Sequence, residues 1–340
     1  MKVFYALLAG ALSATLSLAA TAADWSVDVV ALPDGVAALF DDQGRTVART
    51  RSGGFFHLTL DEVGKFRAKR LAFYSPPKAP RRADMLPDGL LALGSGATKE
   101  AYLVGPTSLY RHGVMGDAIE AAGLRVLTRG GETLEFRLPP GSVFEDLIPR
   151  LHDVDGDGNN EVVVVRSYLD VGAAVAVLGV RDGALVLIAE TEAIGHSNRW
   201  LNPVGVTDFD GDGRPEVAVV KTPYIGGILE LYELVDGAMR IDISTRGYSN
   251  YFIGSRDLFL SRVMDVDSDG VLDIVVPSAD RGALRFVGVA KGKVNDLGTE
   301  QLPARVQTNM LPIDTKTSSF AFGLANGALA VVCFGSATSP

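Results

Sequence analysis

Asp208-Phe209-Asp210-Gly211-Asp212-Gly213-Arg214-Pro215-Glu216, running straight into Val217-Ala218-Val219-Val220, is the stretch that decides the fold. Carboxylates stand at positions 1, 3, 5 and 9 of this turn, with glycine at position 6. That many anions within a few ångströms repel one another strongly unless a cation neutralises them. A hard ion such as Ca²⁺ takes about six to eight oxygen ligands at about 2.3–2.6 Å, and clustered carboxylates in one tight turn supply them. The arrangement occurs twice more, as Asp153, Asp155, Asp157 and Glu161 before Val162-Val163-Val164-Val165, and as Asp265, Asp267, Asp269 and Asp273 before Ile274-Val275-Val276. Three such turns are metal loops.

An EF-hand opens in the same way, but it closes on a glutamate at position 12 and lies between helices. Position 12 here is Val164, Val219 and Val276, within β-branched runs that favour strands. Each loop is therefore a turn leading into a buried strand.

The loops start 55 and 57 residues apart, a period that signals a repeat architecture. Turn glycines at Gly183, Gly237 and Gly292 keep the same beat between apolar runs, as hairpin turns do, and Gly130-Gly131 precedes them in step. Leu32-Pro33-Asp34-Gly35 returns as Leu86-Pro87-Asp88-Gly89. A unit of about 55 residues with several short strands and no amphipathic helix predicts an all-β chain, a β-propeller of six blades with seven as the alternative. Blades are expected to begin near residues 36, 88, 148, 203, 260 and 311, the segment from Trp25 to Leu32 lending the last one its outer strand. Such closure leaves no open edges.

The acidic loop followed by a valine-rich strand resembles the FG-GAP/VCBS repeat family, whose repeats build propellers such as the integrin α-subunit head. The resemblance is clear over residues 148–295 and is one of period alone elsewhere. It implies that each loop joins the innermost and second strands of a blade and binds Ca²⁺, about three ions in all. The implied ligands are the twelve carboxylates above, with the backbone carbonyls of Asn159, Arg214 and Val271 at position 7. Functions in the family are too varied for the likeness to specify one.

Lys2, the apolar stretch from Val3 to Leu18 and Ala20-Thr21-Ala22 read as a secretory signal over residues 1–22, ahead of a single propeller domain over 23–340. A secreted or periplasmic protein results, with no later apolar run long enough to span a bilayer. The lone cysteine, Cys333, lies in an apolar run as a core thiol, with an intermolecular bridge as the alternative. A net charge of −9 argues against nucleic acid as a partner. Against that balance, Lys65, Arg67, Lys69, Arg70, Lys78, Arg81 and Arg82 form a basic stretch, either a solvated outer strand and linker or a surface for an anionic polymer or lipid.

Gly195-His196-Ser197-Asn198-Arg199-Trp200 and Gly247-Tyr248-Ser249-Asn250-Tyr251, with Arg256 beyond, precede the second and third loops. Tyr110-Arg111-His112 has a similar character. Aromatic rings with amide and guanidinium donors suit recognition of carbohydrate or carboxylate. The same residues also suit hydrogen bonds that close the turns between blades. Among motifs of catalysis, neither a Gly-x-Ser-x-Gly elbow nor His-Glu-x-x-His is present. The expectation is a secreted calcium-binding propeller acting as a non-catalytic binding module for a carbohydrate or protein. Its rivals are an enzyme of polysaccharide or glycoconjugate turnover working near His196 and Arg256, and a protein–protein adaptor of the cell envelope.

Overall fold

The valine runs become central strands buried on both sides. In the computed structural model, which describes residues 25–313 and 318–334, Glu161–Tyr168 places Val162 and Val164 in one apolar cluster and Val163 and Val165 in another. All four are at most 1% exposed. Each such valine stabilises the fold by about 1.5–3 kcal/mol relative to an exposed one. Glu216–Lys221 divides its side chains between two clusters in the same way, as does Asp273–Pro277. A continuous apolar run, rather than an alternating one, is what a strand between two neighbours needs.

Every regular element among the described residues is a strand, and each pairs antiparallel with its neighbours. Sheet I covers residues 36–71, sheet IV residues 201–246 and sheet V residues 262–301, each four strands in chain order. Residues 92–190 form one hydrogen-bonded sheet that divides into sheet II (92–137) and sheet III (142–190), joined where Phe144 pairs with Ala121. Sheet VI comprises Leu311–Pro312, Phe320–Gly323 and Leu329–Phe334, with Trp25–Val30 as its outer strand along the last of these. The first and last strands of the described chain are thus hydrogen-bonded to each other. Trp25 also reaches beyond its own sheet, its ring 4.3 Å from Phe286 of sheet V.

Apolar clusters link sheet II to III, III to IV, IV to V, V to VI, and VI to I. Among the described residues none links sheet I to sheet II. There residues 72–91 intervene, with Met85 against Tyr102 and Val104, and Arg82 on Glu100 at 2.9 Å.

The hairpin turns at Asp182-Gly183, Asp236-Gly237 and Lys291-Gly292 have positive φ at both residues, the type I′ geometry that matches strand twist. Gly130-Gly131 departs from the expected series. Its turn is wider, the Thr128 N–H donating to the Glu132 carbonyl at 2.9 Å. The expected signal segment, residues 1–22, lies outside the described residues, among which no helix is long and apolar enough to cross a membrane. Cys333 is half-buried and free, and burial raises its thiol pKa.

Candidate metal centres

Each acidic loop joins two strands of one sheet: Arg150–His152 to Glu161–Tyr168, Leu201–Thr207 to Glu216–Lys221, and Arg262–Met264 to Asp273–Pro277. The three share one set of hydrogen bonds, in which each carboxylate accepts a backbone N–H of its own turn. Position 1 accepts from the glycine at position 6 (Asp153 from Gly158, 2.9 Å; Asp208 from Gly213, 2.8 Å; Asp265 from Gly270, 3.1 Å). Position 3 accepts from position 5, at 3.2, 3.0 and 3.3 Å for Asp155, Asp210 and Asp267. Position 5 accepts from position 7, so that Asp157, Asp212 and Asp269 anchor the Asn159, Arg214 and Val271 peptides at 2.8, 2.9 and 2.8 Å. Position 9 reaches back to position 2. Glu161 accepts from Val154 at 3.0 Å, Glu216 from Phe209 at 2.8 Å and Asp273 from Val266 at 2.8 Å.

The wiring ties one oxygen of each carboxylate to the backbone; both oxygens of Asp208 are used in this way, and Arg181 and Arg214 take the second oxygens of Asp155 and Asp212. Asp153 Oδ1 and Asp265 Oδ1 are buried with no hydrogen-bond partner. A buried acceptor without a donor is costly, and a cation removes that cost. Oxygens of Asp208, Asp210, Asp212 and Glu216 lie within 4.8 Å of one another, as do those of Asp153, Asp155 and Glu161, and those of Asp265, Asp267 and Asp269. Two ligands of one Ca²⁺ are at most about 5 Å apart at the usual bond length. An oxygen-only donor set of this span fits a hard divalent ion.

Two expected carboxylate ligands, Asp157 and Asp273, stand outside these groups. Asp157 Oδ2 faces the Arg181 guanidinium at 3.7 Å. Asp273 makes the same bond to position 2 as Glu161 and Glu216 and is one methylene shorter than either. Burial, then neighbouring aspartates, push Glu216 and Asp273 up to about 7. Burial likewise raises Glu161, Asp210 and Asp267. The Arg214 hydrogen bond lowers Asp212. A bound cation favours the charged form of every one of these groups.

The expected ligand face is largely interior. Trp200, Tyr248, Asn250 and Tyr251 are buried. Trp200 donates from Nε1 to the Glu145 carbonyl at 2.9 Å and packs 4.7 Å from the Tyr251 ring. Tyr251 donates to the Val114 carbonyl at 2.7 Å, and Asn202 and Asn250 donate to each other's carbonyls. Asn198 takes a positive φ and donates its N–H to the Tyr110 hydroxyl at 2.8 Å. Arg256 is held by Asp88 and by Asp117, the latter at 2.8 Å. His196 is exposed and Arg199 half-buried. Trp200, Tyr251, Asn198 and Asn250 are thus engaged within the chain, and among the described residues no hydrogen bond or ion pair joins His196 to Arg256.

A buried polar centre went unread in the sequence. Glu145 is fully buried, meets His112 Nδ1 at 2.7 Å and takes the Ser167 hydroxyl. Beside it, Asp146 accepts the Val165 N–H at 3.1 Å and pairs with Arg150. Glu120 is 1% exposed, one of its oxygens has no donor, and burial followed by Glu145, Asp117 and Asp146 pushes it up to about 9. The available signal was Glu145-Asp146 inside the apolar run from Val143 to Ile148.

With this geometry in view, the comparison with known families is direct: residues 153–219 match the FG-GAP-like repeat. That span contains the first and second loops whole, the strand that follows the first, and the start of the strand that follows the second. No curated protein matches the chain.

Proposed function

We propose that the chain is an exported β-propeller of six blades, stabilised by Ca²⁺ in three loops, that acts as a non-catalytic binding module. The observation that carries this reading is the common wiring of the loops, which gathers carboxylate oxygens of each loop within 4.8 Å of one another. Support for the ring comes from the five apolar joints between successive sheets and from the pairing of Trp25–Val30 with Leu329–Phe334. Support for export is the N-terminal pattern of Lys2, an apolar stretch and Ala20-Thr21-Ala22. Each ion would clamp the turn between two strands, so that metal binding adds to folding stability.

The partner would be a carbohydrate or a protein, the latter in an adaptor role. Nucleic acid is disfavoured by the net charge of −9. Catalysis draws no support from His196 and Arg256, since Arg256 is occupied by two aspartates. The deciding experiment is thermal melting of the mature chain with calcium and with EDTA. Chelation is expected to lower Tm, and Asp210→Ala to shrink the difference. An unchanged Tm at low ionic strength rejects structural calcium.

A further inference from the structure

The outer strand of sheet I, Phe66–Leu71, pairs on one side only, with Phe55–Leu60. Its surroundings reverse the charge of the chain as a whole. Arg67 is taken by Asp61 and Arg82 by Glu100, while Lys65, Lys69, Arg70 and Lys78 have no acidic partner among the described residues. Where this strand ends, a cleft of about 750 Å³ opens between the turn at residues 52–54 and residues 70–75. Its walls hold Arg70 and three aromatic rings, Phe55, Phe73 and Tyr74.

Two features of the cleft lack a structural explanation. Phe73 is 98% exposed, so its ring supports no packing within the chain. The Tyr74 hydroxyl is buried without a hydrogen-bond partner, although the ring is fixed 5.0 Å from Phe55. Aromatic faces pack on the C–H faces of sugars, and a guanidinium fork grips a carboxylate in a bidentate manner. The exposed backbone of Gly53 allows close approach. A bilayer surface fits less well. Val63, 87% exposed, lies at the opposite end of the strand, about 20 Å away for six residues, so it and Phe73 do not form one apolar patch.

We propose that this cleft binds an acidic, uronate-bearing oligosaccharide. Arg70 takes the sugar carboxylate, and Phe73 and Tyr74 pack against the ring faces. Lys65 and Lys69 add attraction along the edge. This inference rests on the reading of the chain as a binding module and names the ligand class.

The test is calorimetric titration of the calcium-saturated mature chain with a hyaluronan octasaccharide, with neutral maltoheptaose, and with phosphatidylglycerol vesicles. Saturable, salt-sensitive binding of the octasaccharide alone is expected. Phe73→Ala and Arg70→Gln should each weaken it about tenfold or more, the loss of one good contact. Both sites are on the surface, so both variants should keep the melting temperature of the parent chain. Absence of octasaccharide binding, equal binding of maltoheptaose, preference for vesicles, or full binding by both variants overturns the proposal. If the calcium effect on melting persists in any of those cases, only the ligand assignment fails. If that effect is absent too, the underlying reading fails with it.

Discussion

The first and second acidic loops fold on the same hydrogen bonds and differ in the cation beside them. In the first, Arg181 reaches from the hairpin turn of its own sheet to Asp155, to Glu161 at 3.4 Å and to Asp157 at 3.7 Å. In the second, the corresponding turn position is Val235, and four carboxylates converge. Arg214 there grips Asp212 and Glu233, each at 2.7 Å. A guanidinium among carboxylates supplies part of the neutralisation a metal would supply, and must be displaced or tolerated when the metal binds. Glu120 shows a third solution, in which a buried carboxyl without a cation keeps its proton. Crowded acids in this fold are thus managed by arginine or by proton, and the second loop gathers its four as a metal would require.

The comparison can be broken most directly by removing calcium. Each loop saturated at 100 times its Kd contributes about 2.7 kcal/mol, so chelation should give the largest change in stability. Asp210→Ala should abolish more of that change than Asp155→Ala, as read from Tm with and without EDTA. Equal losses would show that Arg181 has no bearing on the first loop.

Next in size is the acid that relies on a proton. Glu120 has a folded pKa of about 9 against 4.5 for the ordinary side chain. Between those values the unfolded chain gives up a proton that the folded chain keeps, so stability is lost as pH rises from about 4.5 to about 9. Glu120→Gln removes that loss. The variant should be more stable than the parent by an amount on the order of 2–4 kcal/mol at pH 8, with the gap closing towards pH 4.5 in urea unfolding curves. A gap that does not vary with pH would assign the effect to packing.

Smaller still is the direct exchange of arginine for metal. Arg181→Gln should tighten calcium at the first loop about tenfold, or about 1.4 kcal/mol, in calorimetric titration. It should also lower stability in EDTA, because Asp155, Asp157 and Glu161 lose their counter-charge. The least effect is expected at the third loop. Asp273→Glu restores the reach seen at Glu161 and Glu216, and should improve affinity there by about threefold, or roughly 0.6 kcal/mol. No change would mean that position 9 does not touch the ion.

Much of the fold was legible because the repeats write it three times. The valine runs, the type I′ turns at Asp182-Gly183 and Asp236-Gly237, and the return of Trp25–Val30 to the last sheet all follow from period and turn chemistry. Sheet I and sheet II were less legible, since they lack acidic loops and share only the Leu-Pro-Asp-Gly turn. Within the loops every carboxylate was named from sequence, yet the sequence treated the three as equals. The polar segments before the second and third loops were the hardest to read. Trp200, Tyr248 and Tyr251 have the side chains of a ligand surface and the burial of a structural joint, and composition alone does not separate those roles.

Local chemistry by itself determined the strands, the turns and the metal-ready loops, because each is specified by residues fewer than about ten positions apart. Tertiary structure alone decided which cation each loop meets, which aromatic rings lie inside, and that His112 and Glu145 share a buried bond 33 residues apart in sequence. Those outcomes depend on which sheets become neighbours, and a side chain's partner across a joint is set by packing that its own stretch of sequence does not encode.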